Sequence, residues 1–224
     1  MAATGAFLEQ EVRLAVGGVT LVGDLARPAR ARAAILFAHG SGSSRHSPRN
    51  RLVARALRDS GLATLLIDLL TPREEAADAV TGHLRFDIAL LARRLEAATA
   101  WLHEEPSTVD LPVGYFGAST GGGAALVAAA NGPGVFAVVS RGGRPDLAGL
   151  ALPRVKAPTL LIVGGDDVPV IGMNRAAAVA MRTKVRIEIV PGASHLFEEP
   201  GALEQVAALA AQWFESHLPP ADAA

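Results

Sequence analysis

The sequence predicts an α/β fold with a mostly parallel, twisted sheet, an N-terminal antiparallel hairpin and helices on both faces. The hairpin is predicted by two short strand-like runs, residues 12–16 and 20–26, which Gly17-Gly18 joins. The parallel sheet is predicted because continuous apolar runs then alternate with amphipathic stretches, which is the pattern of strands covered on both faces.

Six further strands are expected from the apolar runs. They are residues 33–39, 63–69, 113–116, 135–140, 159–163 and 185–190. In the last run, Val185, Ile187 and Ile189 alternate with Arg186 and Glu188. One face of that strand is therefore expected to be exposed to solvent, and we expect the strand to lie at an edge of the sheet.

The clearest helix is expected at residues 84–103, where Leu84, Ile88, Leu91 and Leu95 recur at helical spacing. Two more helices are expected at residues 51–60 and 203–213. A chain of 224 residues fits one domain. We therefore expect a single domain over residues 1–224, with loose tails at about 1–8 and 219–224.

The overall charge favours a small-molecule partner. Lys plus Arg number 21 and Asp plus Glu number 22, so no whole-chain field attracts nucleic acid or an anionic membrane. Residues 111–140 carry no charge, but glycines divide them into pieces too short to span a bilayer. We expect no nucleic acid and no membrane as partners, and the oligomeric state is left open.

The sequence has no cysteine, which excludes disulfides, thiolate metal sites and a thiol nucleophile. The first residues, MAATGAFLEQEVR, lack the basic segment and apolar segment of a secretory signal. The expected location is therefore cytoplasmic.

A serine motif carries the main functional signal. Residues 113–116 read as a strand, residues 117–121 read Gly-Ala-Ser-Thr-Gly, and an alanine-rich helical segment follows at once. This strand–turn–helix context is typical of a nucleophile elbow, in which the flanking glycines allow a sharp, strained turn that exposes Ser119. The alternative is an ordinary glycine-rich turn.

A serine nucleophile needs a histidine as its base and a carboxylate that orients the histidine. The run 159–163 leads into Asp166 and Asp167, and the run 185–190 leads into His195. The chain order serine, acid, histidine is that of the nucleophile-elbow hydrolases. We expect His195 to be the general base and favour Asp167 over Asp166, since only one of the two can face the imidazole.

The tetrahedral oxyanion requires two backbone N–H donors. We expect one from Thr120, which follows the nucleophile, and the other from Ser41, in the His-Gly-Ser-Gly loop after the strand 33–39. An ordinary turn is the alternative reading of that loop. It lacks the lysine of a phosphate loop and the three spaced glycines of a dinucleotide site, so we expect no cofactor, and we also expect no metal.

These motifs resemble the α/β-hydrolases, and in particular the small branch without a lid that includes the dienelactone hydrolases. The resemblance extends over about residues 12–218. In that superfamily the acid lies in a pattern of Gly, two residues, Asp, two residues and Val, which Gly164, Asp167 and Val170 match. The resemblance therefore implies Asp167 as the acid. Some stretches also resemble a bacterial hydrolase family that is sometimes fused to a phosphoribosyltransferase domain, which we do not expect in this chain.

Two departures from the family matter. Dienelactone hydrolases proper use a cysteine nucleophile, whereas this chain has Ser119, which favours simple esters over dienelactone as substrates. Many relatives insert a lid before the strand 159–163, but residues 140–158 are too few for a separate cap. We therefore expect an open site.

Arginines follow two of the loops that meet at the expected site. Arg45 follows the oxyanion loop and Arg141 follows the strand 135–140. We hypothesise that Arg45 or Arg141 binds a carboxylate or phosphate of the substrate through a bidentate contact. The alternative is that these arginines pair with local acids such as Asp146.

The sequence thus predicts a serine hydrolase that cleaves a carboxylic ester, or a thioester, of a small molecule through an acyl-enzyme on Ser119. Two alternatives come from other functional classes. One is an acyltransferase that uses the same acyl-enzyme, and the other is a binding module that keeps the hydrolase fold without turnover.

Overall fold

A single mixed sheet organises the protein. The computed structural model describes residues 7–132 and 134–220, and within these ranges the sheet has eight strands in the order β1-β2-β4-β3-β5-β6-β7-β8. The strands are β1 (Phe7–Val16), β2 (Val19–Pro28), β3 (Ala34–Ala38), β4 (Ala63–Ile67), β5 (Val113–Ala118), β6 (Val138–Arg141), β7 (Thr159–Gly164) and β8 (Val185–Val190). β1 and β2 pair antiparallel, as do β2 and β4, and the remaining pairs are parallel.

Helices cover both faces of the sheet, which confirms the predicted fold class. They are α1 (Pro48–Asp59), α2 (Pro72–Thr81), α3 (Ile88–Glu104), α4 (Thr120–Asn131), α5 (Val168–Ala180) and α6 (Ala202–Ser216). α3, α4 and α5 contribute to the apolar core on one face, and α1 and α6 contribute to the core on the other. No helix within the described ranges combines the length and the apolar character needed to cross a membrane.

The sheet follows the predicted strands with two differences. β8 lies at an edge, as its alternating pattern predicted. β1 begins at Phe7, although residues 7 and 8 were expected to be loose, because Phe7 pairs with Pro28 and the Arg58 guanidinium lies 4.7 Å from its ring centre. β6 begins at Val138 rather than at residue 135, since its pairing with β7 starts there. Of the expected loose tails, residues 1–6 and 221–224 lie outside the described residues.

The helix expected at residues 84–103 is divided in two. A 3₁₀ turn spans Leu84–Phe86, and α3 begins after Asp87, whose carboxylate accepts a hydrogen bond from Leu90 N at 2.9 Å. An aspartate at this position satisfies a free N–H at the start of a helix, so it favours a new helix over the continuation of the old turn.

Helix α2 was not predicted, because it lacks an apolar stripe and buries only Asp78. Its start is specified by a capping box in which Thr71 and Glu74 bond each other's backbone N–H groups. The Glu74 carboxylate also pairs with Arg94, whose side chain is only 4% exposed. Polar contacts rather than hydrophobic burial therefore hold α2 against α3.

The connection from β5 to α4 is tight and places Ser119 at the carboxyl edge of the sheet. Ser119 has φ 50° and ψ −122°, a backbone conformation that residues other than glycine rarely adopt. A Cβ at Gly117 would lie 2.6 Å from Gly121 O, and a Cβ at Gly121 would lie 2.2 Å from Ala38 O. The turn therefore requires glycine at both positions, and the strained residue between them is the half-buried Ser119.

This crowding predicts opposite effects for two glycine-to-alanine substitutions. Gly121→Ala forces its methyl against a backbone carbonyl and should lower the free energy of unfolding by about 1–3 kcal/mol. Gly172→Ala, in α5, meets no atom within 4 Å and should raise it by about 0.5–1 kcal/mol through helix propensity. Urea denaturation measures both, and equal midpoints for wild type and Gly121→Ala would contradict the described packing.

The Glu74–Arg94 pair predicts a pH effect on stability. The hydrogen bonds from Arg94 lower the pKa of Glu74 from 4.5 to about 2. A lowered carboxylate pKa stabilises the fold above the unfolded pKa, and this contribution is lost as the pH falls from about 4.5 to about 2. Glu74→Gln should therefore be less stable at pH 7 and lose less stability on acidification than the wild type. The control Glu104→Gln, on the exposed surface of α3, should keep the wild-type profile, and a wild-type profile in Glu74→Gln would reject the pairing.

Candidate active site

Three polar side chains from separate loops meet at the carboxyl edge of the sheet. Ser119 follows β5, Asp167 follows β7 and His195 follows β8. His195 Nδ1 lies 2.6 Å from Asp167 Oδ2, and His195 Nε2 lies 3.3 Å from Ser119 Oγ. With Nδ1–H donating to the carboxylate, the neutral imidazole has its Nε2 lone pair free to accept the hydroxyl hydrogen of Ser119.

Of the two adjacent aspartates, Asp167 is the one that contacts the histidine. Its side chain is 13% exposed, whereas Asp166 lies on the surface with its N–H bonded to Ala193 O at 3.0 Å. The loops after β7 and β8 touch because Gly164 has no side chain; a Cβ there would lie 2.3 Å from Ala193 O. This close approach of two backbones brings Asp167 within reach of His195.

Phe197 anchors the loop that carries His195, a role that no sequence pattern predicted. Its φ is 57°, an uncommon conformation for a bulky residue, and its side chain is only 1% exposed. The ring packs into the core between the sheet and helices α1 and α6. Burial of the ring offsets the backbone strain and fixes the direction in which the chain leaves His195.

The two residues expected to form the oxyanion hole lie side by side. Ser41 N–H donates a hydrogen bond to Thr120 Oγ1 at 2.8 Å. Thr120 is the first residue of α4, so its own N–H belongs to the turn whose donors have no intrahelical acceptor. The side-chain oxygen of Thr120 thus occupies the Ser41 donor in this structure.

His39 braces the loop that carries Ser41. Its Nε2 accepts a hydrogen bond from Leu69 N at 3.0 Å, which leaves Nδ1–H to donate to Gly40 O at 2.9 Å. Burial lowers the pKa of His39, so the ring stays neutral and keeps both contacts. His39 therefore connects the end of β3 to the chain after β4.

The contacts of Arg45 do not support the expected role of this residue in binding a substrate anion. Its guanidinium pairs with Asp68, with Asp24 at 3.2 Å and with Glu11 at 3.1 Å. These carboxylates use the donors that a bidentate substrate contact would need. Arg45 instead ties the loop after β3 to strands β1 and β2, in keeping with the alternative of pairing with nearby acids.

Arg141 has no such acidic partner within the described residues. Its side chain is buried with 7% exposed, and its nearest polar contact is from Nη2 to Asn50 Oδ1 at 3.5 Å. Nη1 is buried without a hydrogen-bond partner. The guanidinium carbon lies 5.9 Å from the centre of the Phe197 ring.

A cavity of about 550 Å³ opens beside the two oxyanion-loop residues. Its walls include Ser41, Thr120, Leu69, Leu91, Arg49 and Glu75. Part of the wall comes from α2 and the following 3₁₀ turn, which the sequence did not predict. Within residues 7–132 and 134–220, no cluster of His, Cys, Asp and Glu has the grouping that a metal ion needs.

Residues 21–218 match the dienelactone hydrolase family. The crystal structure of a dienelactone hydrolase from Anabaena variabilis has 64% sequence identity and a TM-score of 0.93, and the match covers 95% of this chain and 99% of that one. A dienelactone hydrolase-like promiscuous phosphotriesterase from metagenomic libraries shares the fold, with 19% identity, a TM-score of 0.79 and coverage of 96% and 100%.

Two curated proteins of Mycobacterium tuberculosis, from strains CDC 1551 and H37Rv, are each 58% identical over 211 residues. Both carry the name "Putative phosphoribosyl transferase", and the match covers 94% of this chain but 47% of theirs. The chain thus spans about half the length of these relatives. The family match covers the loops that bring Ser119, Asp167 and His195 together, and the chain belongs to the dienelactone hydrolase family.

Proposed function

We propose that this protein hydrolyses a carboxylic ester, or a thioester, of a small molecule through an acyl-enzyme on Ser119. The observation that supports this most directly is the continuous contact from Asp167 Oδ2 to His195, at 2.6 Å, and from His195 to Ser119 Oγ, at 3.3 Å. In this order the three groups perform nucleophilic catalysis in hydrolases of several unrelated folds.

In the first half of the reaction, Ser119 Oγ attacks the carbonyl carbon while His195 Nε2 takes the hydroxyl proton. The Asp167 carboxylate stabilises the imidazolium that forms. His195 then gives its proton to the oxygen of the leaving alcohol, or the sulfur of a thiol, and the bond between that atom and the acyl carbon breaks. The acyl group remains on Ser119 as an ester.

In the second half, water replaces the alcohol. His195 Nε2 takes a proton from the water as its oxygen attacks the acyl carbon, and then returns a proton to Ser119 Oγ as the acyl–serine bond breaks. The products are a carboxylic acid and free Ser119. An acyltransferase would follow the same path with an alcohol or amine in place of water.

The N–H groups of Thr120 and Ser41 stabilise the negative charge on the carbonyl oxygen. In the resting state Ser41 N–H bonds Thr120 Oγ1 at 2.8 Å, so rotation of the threonine side chain about its Cα–Cβ bond makes this donor available to the oxyanion. A single donor of this kind contributes about 10²–10³-fold to turnover.

The cavity beside Ser41 and Thr120, whose walls do not include Ser119 or His195, is of a size that supports a small substrate. Its volume of about 550 Å³ lies within the range of about 300–1,000 Å³ that is typical of small-molecule sites. We retain simple esters rather than dienelactone as the substrates because the nucleophile is a serine. Phosphoribosyl transfer is not carried over from the mycobacterial relatives, since they are about twice as long and this site is built for acyl transfer to a nucleophilic serine.

Removal of the nucleophile should abolish turnover. Ser119→Ala should lower kcat on a chromogenic ester by about 10⁴-fold or more, because the remaining groups act only as a unit with the serine. Ser43→Ala, which changes a serine in the wall of the cavity, should stay within about threefold of wild type. Retention of most activity in Ser119→Ala would show that another group performs the reaction. Product analysis with an added alcohol distinguishes hydrolysis from acyl transfer.

The adjacent aspartates provide a matched pair of variants. Asp167→Asn should lower kcat by about 10⁴-fold, because an amide favours the wrong tautomer of His195 and does not stabilise the imidazolium. Asp166→Asn, one residue earlier and directed to solvent, should change kcat by less than about threefold. Steady-state kinetics with one ester measures both variants. A larger loss of kcat in Asp166→Asn than in Asp167→Asn would assign the role of the acid to Asp166.

A further inference from the structure

A buried arginine without a counter-charge lies directly behind the nucleophile. Arg141 is the last residue of β6, pairs in register with Ala118, and accepts a hydrogen bond from Ser119 N at its carbonyl oxygen, at 3.2 Å. Its side chain is 93% buried (7% exposed), and Nη1 has no hydrogen-bond partner in the described part of the chain. A buried charge without a partner is unfavourable unless it serves a ligand or a reaction.

A second arginine adds to the positive charge. Arg49 lines the cavity, its Nη1 pairs with Glu198 at 3.1 Å, and its Nε is buried without a partner. Burial and the neighbouring charge of Arg49 lower the pKa of Arg141 to about 10, which still leaves it protonated near neutral pH. Of the two guanidiniums, only that of Arg49 has an acidic partner among the described residues, Glu198.

The start of α1 contributes in the same direction. Arg49 and Asn50 lie in the first turn of this 12-residue helix, where the backbone dipole favours anions. Asn50 is buried and is the residue that Arg141 contacts. Arg49 lines the cavity, whereas Arg141 is buried and does not line it. The two guanidiniums and the helix terminus therefore form one positive region that reaches the cavity at Arg49.

The other end of the cavity is negative. Asp78 is neutralised by Arg85, but the Glu75 carboxylate has no ion-pair partner in the described residues. Partial burial and the nearby charge of Asp68 raise the pKa of Glu75, as expected for a carboxylate in an unfavourable field. A negatively charged substrate group is thus attracted towards Arg49 and repelled from Glu75.

We propose that the ester substrate carries a phosphate monoester group that binds at Arg49 and Arg141. A phosphate monoester has a charge of about −1.5 to −2 at pH 7, which suits two guanidiniums and a helix terminus better than a single carboxylate does. The phosphate takes the place of Glu198 at Arg49, and the buried guanidinium of Arg141 supplies the second positive charge. It stays intact, because the bond that breaks is still the acyl carbon–oxygen bond. This inference rests on the proposed function.

A matched substrate series tests the proposal in the wild-type protein. The acetate esters of propanol, of 3-hydroxypropanoate and of 3-hydroxypropyl phosphate differ only in the group at the end of the alcohol. The same three groups placed on the acyl side complete the series. In at least one placement, kcat/KM should be at least tenfold higher for the phosphate than for both the carboxylate and the neutral ester. Equal values for phosphate and carboxylate, or a preference for the neutral ester, overturn the proposal.

Variants then assign the preference to the arginines. Arg141→Met should lower the ratio of kcat/KM for the phosphate ester to kcat/KM for the neutral ester by about 10–100-fold, as expected for a lost interaction with a charged group. Arg49→Met should have the same effect, and it provides the test if Arg141→Met does not fold. Arg51→Met, exposed on the same helix, is the control for surface charge. An equal loss on the neutral ester would assign Arg141 to structure rather than to phosphate binding.

A binding measurement separates this proposal from the proposed function. Inorganic phosphate should raise the Tm of wild type and of Ser119→Ala, and should not raise the Tm of Arg49→Met. Absence of a shift in wild type overturns the phosphate site even if esters are hydrolysed. A shift without any hydrolysis that depends on Ser119 supports the site and rejects the proposed reaction.

Discussion

The hydrogen bond between His195 Nδ1 and Asp167 Oδ2 is the contact on which the rest of the proposed site depends. At 2.6 Å it joins the loops that follow β7 and β8, and it fixes the tautomer that leaves Nε2 as an acceptor towards Ser119. Parallel pairing of β5 through β8 places all three loops at one edge of the sheet. The proposed chemistry therefore depends on strand direction and on one charged hydrogen bond.

Close backbone contacts give these loops their positions. Gly121 lies against Ala38 O and Gly164 lies against Ala193 O, so that in both places a methyl group would overlap a carbonyl oxygen. The two non-glycine residues with positive φ in the described chain, Ser119 and Phe197, stand in or beside the site. Buried packing around these residues compensates for the backbone strain. Such packing is expected where a group must keep one orientation during a reaction.

Much of this arrangement could be predicted because short sequence patterns report local geometry. A backbone conformation is indicated by each of three patterns, namely the Gly17-Gly18 turn, the alternation in β8 and the glycines around Ser119. Contacts between distant side chains leave no such pattern. The pairing of Arg45 with three carboxylates, the capping contacts that hold the polar helix α2 and the missing counter-charge of Arg141 all depend on tertiary structure.

We propose that Ser119 forms a covalent acyl ester during turnover, and rapid-quench peptide mass spectrometry detects such an ester directly. Wild-type protein is mixed with a slow ester, quenched in acid within milliseconds to seconds, digested and analysed. We expect the peptide containing Ser119 to gain the mass of the acyl group and to lose it as the carboxylic acid appears. Turnover without that adduct, or an acyl group on a different residue at the same rate, would contradict this proposal.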